Sequence, residues 1–263
     1  MQSKTEQLKE LNDRMIKCSR CVLRGTCKQV VPGEGSADAE IMFIGEGPGQ
    51  KEDELGRPFV GAAGKFLDEM LGIINLKRED VYPHTKITEN KTDNEKYASN
   101  QKDKSFGVGV YIANVVKCRP PGNRDPLPEE TEACWPWLVE QIKIIDPKLI
   151  AILGKHSLER FLPGQKISQI HGKAMRKNIP EIGTRVFYAL YHPAAALYNG
   201  GMRKILIEDF KKIPKVLEVI HPVKSPTSRG AEQFNGAKKS ELESNKNPTF
   251  KIEPDEDKQE SLF

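Results

Sequence analysis

Apolar residues recur along this chain in two rhythms. Leu8, Leu11, Met15 and Ile16 fall at helical spacing and predict an N-terminal helix over residues 5–17, and Phe66, Leu67, Met70, Leu71 and Ile74 predict another over Ala62–Ile74. Trp135, Leu138, Ile142 and Ile145 mark a third helix, Pro128–Ile145. His156–Leu162 and Met202–Ile220 read as two more, the latter bent or broken at Pro214. Between the helices stand short apolar runs, Ile41–Gly45, Val110–Val116, Leu149–Leu153 and Val186–Tyr191, which read as strands. Strands alternating with helices predict an α/β fold with a mostly parallel central sheet covered on both faces. Two polar stretches break the rhythm. Residues 84–106 look like a surface insertion within a domain spanning 1–221, and the apolar-poor residues 222–263 look like a disordered tail.

The richest loop follows the first of these strands. Gly45–Gly61 holds five glycines, two prolines and four acidic residues directly behind Ile41–Ile44. Glycine permits backbone conformations and close ligand approach that a Cβ would block, and loops at the carboxyl ends of parallel strands are where open α/β sheets bind ligands. A phosphate loop fits poorly, because Gly45, Gly47 and Gly49 do not make GxGxxG and no Gly-Lys-Ser/Thr follows. Gly154-Lys-His-Ser157 lacks the upstream glycine of a Walker loop and reads as an ordinary strand-to-helix turn.

Composition adds bounds. At 263 residues and 37% apolar, the chain has enough material for a real core with polar appendages. Residues 1–17 are polar and charged, and no apolar run could span a bilayer, so a cytoplasmic protein free of the membrane is expected. The net charge is +4, and because residues 224–263 carry seven basic and eight acidic groups, the rest of the chain holds +5. That surplus permits nucleic-acid binding without demanding it.

Five cysteines without a secretory leader argue against a disulfide framework. Cys18 and Cys21 form a CxxC pair, and Cys118 and Cys134 flank the turn-rich Arg119-Pro-Pro-Gly-Asn-Arg-Asp-Pro-Leu-Pro128. Four converging thiolates would suit either zinc or an iron–sulfur cluster, and free core thiols are the plain alternative. Cys27 has no obvious partner and reads as a buried or surface thiol.

Taken with the loop and Asn114-Val-Val-Lys-Cys-Arg-Pro-Pro121, Asn123-Arg124 and Tyr191-His-Pro-Ala194, these cysteines give a sequence that closely resembles the type-4 uracil-DNA glycosylases from about Cys18 to Leu217. The insertion at 84–106 and the long tail depart from the family pattern without interrupting a motif. The resemblance implies a three-layer α/β/α sandwich and a monofunctional hydrolase that releases uracil from single- or double-stranded DNA in base-excision repair. It also implies a structural [4Fe-4S] cluster on Cys18, Cys21, Cys118 and Cys134. A non-catalytic iron–sulfur DNA-binding or replication-accessory protein of the same fold is the rival reading. A covalent uracil-trapping relative would need an inserted basic loop with its own histidine, which His171-Gly-Lys-Ala-Met-Arg176 matches poorly.

The resemblance also assigns roles. Asn114 would read the uracil edge, Phe59 would stack on the ring, and Glu46 and Gly47 would offer backbone amides. Glu52 is placed near uracil C5, where it would exclude the thymine methyl, although a solvated carboxylate is the default for Glu52, Asp53 and Glu54. His192 would donate to uracil O2, and the loop Pro193–Leu197 would enter the minor groove with Leu197 as wedge. Arg119 and Arg124 are expected to face phosphate. Gly47 stands where better-known uracil glycosylases carry an aspartate, so the water-activating group stays unassigned: either Glu46 polarises water or the dissociative chemistry needs little help. Finally, Gln259-Glu-Ser-Leu-Phe263 resembles the bacterial sliding-clamp-binding pentapeptide, with Gln259, Leu262 and Phe263 as the contacts of a nucleoid-associated monomer.

Overall fold

The computed structural model describes residues 2–78 and 109–220. The polar stretch 84–106 and the tail with Gln259, Leu262 and Phe263 lie outside the described residues.

Six strands form one sheet. In chain order they are β1 (Glu34–Gly35), β2 (Ile41–Gly45), β3 (Val110–Asn114), β4 (Leu149–Leu153), β5 (Ala174–Ile179) and β6 (Gly183–Leu190), arranged β1-β3-β2-β4-β6-β5. The four inner strands run parallel, while β1 and β5 close the edges antiparallel to β3 and β6. The expected mostly parallel sheet is therefore flanked by two strands that the apolar pattern does not announce. The β5 sequence, Ala-Met-Arg-Lys-Asn-Ile, buries one residue fully, as befits an edge strand.

The inner strands show why their sequences are unbroken apolar runs. Met42, Ile44, Tyr111, Ala113, Ile150, Ile152, Phe187 and Ala189 point to one face, and Ile41, Phe43, Val110, Ile112, Leu149, Ala151, Tyr188 and Leu190 to the other. Helix α1 (Lys4–Ile16), helix α4 (Pro128–Ile145) and helix α5 (Lys155–Phe161) cover the first face. Helix α3 (Ala62–Ile73) and helix α8 (Gly200–Ile220) cover the second. The three-layer sandwich is thus built from period-2 strands between amphipathic helices.

Three local expectations need correction. Helix α8 runs unbroken through Pro214, because burial of Phe210, Ile213 and Val216 offsets the one backbone bond that proline removes. The glycine loop contains a short helix, α2 (Gln50–Leu55), ended by Gly56 in the left-handed conformation. The segment after His192 is also a helix, α7 (Pro193–Tyr198), not a loop; proline at its first position and the alanines behind it are helix-starting chemistry. A four-residue helix, α6 (Ile167–Ile170), precedes β5.

Candidate active site

Parallel register brings four strand ends to one level. Gly45 pairs with Asn114 across β2 and β3, and Leu153 pairs with Leu190 across β4 and β6. The residues that follow line a cavity of about 380 Å³, within the range of roughly 300–1,000 Å³ typical of small-molecule sites. Its walls include Glu46, Gly47, Glu52, Phe59, Asn114, Pro120, Asp125 and His192. The successive crossovers from β2 go to β3 on one side and then to β4 on the other, so the cavity lies at the switch point where α/β sheets bind ligands.

Asn114 sits at its floor. Its side chain is 2% exposed and its Oδ1 has no hydrogen-bond partner, a costly state for a buried acceptor unless a ligand completes it. Gly45 makes the arrangement possible: a Cβ there would lie 2.6 Å from both Asn114 Oδ1 and the Phe59 ring. Phe59 itself holds a left-handed backbone, φ 52°, which costs a non-glycine residue about 1–3 kcal/mol and needs support from its surroundings. Arg78 supplies that support, donating to the carbonyls of Pro58 (2.7 Å) and Phe59 (3.0 Å) while its guanidinium pairs with Asp68. The Phe59 ring is stacked on His192 with centroids 5.5 Å apart.

His192 caps α7. Its Nδ1 accepts from the Ala194 N–H at 3.2 Å, so the neutral ring carries its proton on Nε2. Burial drives its pKa down to about 4, against the pull of Glu52 and with a further push from His156, so a neutral Nε2–H donor is what the cavity holds near pH 7. Gly154, at φ +90°, lets the β4 end pass close by, since a Cβ there would meet His192 Cβ at 2.9 Å.

Glu46 has the opposite perturbation. Burial pushes its carboxyl up to about 7, helped by the Asp125 charge and opposed by Lys155. His156 Nε2 lies 3.9 Å from Glu46 and 3.1 Å from Asp125. Neither Asp125 nor His156 stands out in the sequence: one lies in a proline-rich turn, the other in a strand-to-helix turn, and only the sheet brings them together.

In the acidic run after Glu46, Glu54 is at the surface as expected, whereas Glu52 and Asp53 are tied to backbone amides. Glu52 Oε1 accepts from the N–H groups of Val60 and Gly61, both at 2.8 Å, which fixes the loop at the start of α3 while the carboxylate still lines the cavity. Asp53 is buried and accepts from the Lys28 and Gln29 amides. Glu54 remains at the surface beside Lys51 and Gln50, whose hydrogen bonds hold its pKa down to about 2.

The two arginines have intramolecular partners. Arg124 makes a bidentate pair with the fully buried Glu130 at 2.8 and 2.6 Å, and Arg119 donates to Asn123 Oδ1 at 2.7 Å. On α7, Leu197 is 42% exposed while the neighbouring Tyr198 is 91% exposed. Tyr198 is thus the more prominent apolar group, and nothing in the strand-and-loop pattern singles it out. His171 pairs with Asp209 and packs on Tyr191 outside the cavity lining.

The cysteines gather elsewhere. Cys18, Cys21, Cys118 and Cys134 line one small cavity with Met15, Leu23 and Trp137. Trp137 Nε1–H donates to Cys18 Sγ at 3.2 Å and the Lys117 amide donates to Cys134 Sγ at 3.3 Å. Such N–H···S bonds suit anionic sulfur, and Met15, Leu23 and Trp137 give the cavity an apolar side, so the donor set fits a metal–sulfur group. Burial pushes the Cys134 thiol up to about 11, which makes free thiolate costly without a bound cation. Cys27, assigned no partner from sequence, is buried, and its thiol donates to the Arg24 carbonyl at 3.8 Å.

Comparison with known proteins agrees with this geometry. Residues 32–218 match the model of the Uracil DNA glycosylase superfamily. A type-4 uracil-DNA glycosylase of Sulfurisphaera tokodaii is 42% identical over 214 residues, covering 79% of this chain and 84% of the relative. One from Thermotoga maritima is 38% identical, covering 81% of this chain and 95% of the relative. A type-5 uracil-DNA glycosylase of Pyrobaculum aerophilum is more distant, 28% identical over 72% of this chain and 83% of the relative. With the family model matched across the sheet and cavity, and type-4 relatives alike over about four-fifths of its length, the chain belongs to the type-4 uracil-DNA glycosylases of that superfamily.

Proposed function

We infer that this chain is a monofunctional uracil-DNA glycosylase that hydrolyses the N-glycosidic bond of deoxyuridine in DNA and leaves an abasic site for repair. The observation that carries the reading is Asn114, whose buried Oδ1 lacks a partner at the floor of a base-sized cavity. A deoxyuridine flipped out of the helix presents its Watson–Crick edge there. Asn114 Oδ1 accepts from uracil N3–H and its NH₂ donates to O4, whereas cytosine presents the reverse pattern. Each buried group left unpaired costs about 1–3 kcal/mol, so one asparagine rejects cytosine strongly.

The remaining groups divide the work. Phe59 packs against the base, the amides of Glu46 and Gly47 add donors, and the Glu52 carboxylate lies where a thymine methyl would have to fit. As the C1′–N1 bond breaks, its electron pair passes to uracil, and the His192 Nε2–H stabilises charge growing at O2. Loss of one such donor costs about 100-fold in rate or more. Water adds its oxygen to C1′ and passes a proton to Glu46. On the DNA side, Leu197 and Tyr198 enter the vacated stack, and the outward N–H groups of Arg119 and Arg124 meet phosphate.

Cys18, Cys21, Cys118 and Cys134 would hold a [4Fe-4S] cluster, whose contribution there is structural. The donor set in their cavity supports this assignment. The ligated residues would tie the segment after α1 to the proline-rich turn carrying Asp125 and Arg124. We place the protein in the cytoplasm as a monomer acting at the nucleoid, where its DNA substrate lies; no helix among the described residues is long and apolar enough to cross a membrane. The end residues Gln259, Leu262 and Phe263 are assigned to a sliding clamp, a contact that deletion of residues 259–263 should abolish in a clamp-binding titration.

A gel assay on a uracil-containing oligonucleotide, with alkali to break abasic sites, tests the reaction. Cleavage by the wild type that is lost in Asn114→Ala and His192→Ala supports both reaction and residues. DNA binding without cleavage by the wild type would favour the non-catalytic iron–sulfur DNA-binding reading.

A further inference from the structure

The water-activating end of the cavity holds more than one carboxylate. Glu46, Asp125 and His156 each offer one ligand atom within 4.8 Å of the others, and Glu46 and Asp125 both line the cavity. They come from three separate strand ends or turns: Glu46 follows β2, Asp125 precedes α4, and His156 is the second residue of α5, behind β4. His156 Nε2 is at hydrogen-bond distance from Asp125 Oδ2, 3.1 Å, and faces Glu46 Oε2 at 3.9 Å.

Two carboxylates at this range oppose each other's ionisation. Only an ionised Glu46 can take the proton of the attacking water, so the group between them matters. When both ring nitrogens of His156 carry protons, its Nε2–H donates to Asp125 and the imidazolium charge offsets the carboxylate that otherwise faces Glu46. We propose that His156 and Asp125 form a positioning dyad that sets the ionisation of Glu46, and with it the pH range over which Glu46 accepts the proton of water as the oxygen bonds C1′. The dyad acts through Glu46 and need not touch the substrate. The proposal rests on the reaction inferred above.

The other charged groups around Glu46 are accounted for. Lys155, from α5, favours its ionisation, whereas burial and Asp125 hold its carboxyl up to about 7. Arg124, on the same turn as Asp125, is paired with Glu130. Glu52, from α2, is tied to the Val60 and Gly61 amides, and His192, across the cavity, is bound to the Ala194 amide.

Single-turnover uracil excision should be measured from pH 5 to 9.5 for the wild type, Asp125→Asn, His156→Gln and the double variant. The wild-type rate should fall on the acid side with a midpoint near 7, the value to which Glu46 is shifted. Asp125→Asn should move that midpoint down by about one unit, as expected for loss of one like charge close by, and His156→Gln should move it up by about one unit, as expected for loss of the imidazolium that offsets it. His156→Gln should therefore run about tenfold slower than wild type at pH 6 and recover above pH 8.5. The double variant should return towards the midpoint of Asp125→Asn. The Asp125 side chain is 66% exposed, so its replacement leaves the core intact and the variant decides the matter even if His156→Gln folds poorly. Variant profiles parallel to the wild type, with equal loss at every pH, would overturn the dyad and leave the reaction standing. A wild type that releases no uracil at any pH would overturn the reaction and the dyad together.

Discussion

Asn114 and Glu46 are both held in the cavity at the expense of stability. One keeps a buried acceptor without a partner, and the other has a carboxyl pushed up to about 7 by burial. Asn114→Ala should therefore lower uracil excision about 100-fold or more while leaving the melting temperature unchanged or higher, because the lost oxygen satisfies nothing in the free protein. For Glu46 the sign follows from its raised folded pKa. The folded state resists its ionisation, so the penalty is absent below about 4.5 and complete above about 7. Glu46→Gln should then stabilise the protein at pH 8 by roughly 1–3 kcal/mol and have little effect at pH 4.5, while slowing hydrolysis about 100-fold. Thermal melts at the two pH values check the first claim. A stabilisation equal at both would contradict the burial account. Asn114, His192, Phe59 and Glu46 are legible in the sequence through the family motifs it resembles, since position at a strand end or in the glycine loop alone would leave Asn114 a turn cap and Phe59 a core residue. Asp125 and His156 are not, since their roles arise from proximity across the sheet.

Elements carry the site because their ends are pinned by side chains. Glu52 bonds two amides at the entry to α3, and Arg78 clamps the two carbonyls around Phe59. Glu52→Ala should cost about 1–2 kcal/mol in stability, the usual scale of a lost cap, and should raise KM by loosening the Phe59 wall. Measured thymine excision in the same variant reports on the proposed gate, with appearance of thymine release as the expected outcome. On α7, Tyr198→Ala should leave the melting temperature unchanged, because the residue is 91% exposed. It should weaken binding of uracil-containing DNA about tenfold, on the scale of one stacked base. The inner strands and long helices were readable from apolar period alone. The edge strands β1 and β5 were not, being short or polar on most positions, and neither was α7, whose alanine-rich sequence has no amphipathic stripe.

At the scale of the whole molecule, two sites share one frame. The cysteine cavity lies under α1 and α4, and the base cavity lies at the carboxyl ends of the strands. Residues Lys117 to Asp125 join them: Lys117 Nζ, fully buried, donates to the Asn114 carbonyl at 2.8 Å and to Gln141 at 2.6 Å, while its amide reaches Cys134. On the proposed cluster ligation, Cys118→Ser should remove iron, lower the melting temperature and reduce excision through the displaced turn, as iron analysis and the visible absorbance of the purified protein would record. The resemblance already implied that Cys18, Cys21, Cys118 and Cys134 converge; the Lys117 bonds that run on to Asn114 and Gln141 emerge only in the packed fold. On the proposed reading, the cavity selects uracil through Asn114 and cleaves it from DNA. The most direct measurement is chromatographic release of free base from otherwise identical oligonucleotides bearing uracil, cytosine or thymine at one position. Release of uracil alone, abolished in Asn114→Ala, is the predicted result; release of no base, or of cytosine as fast as uracil, would contradict it.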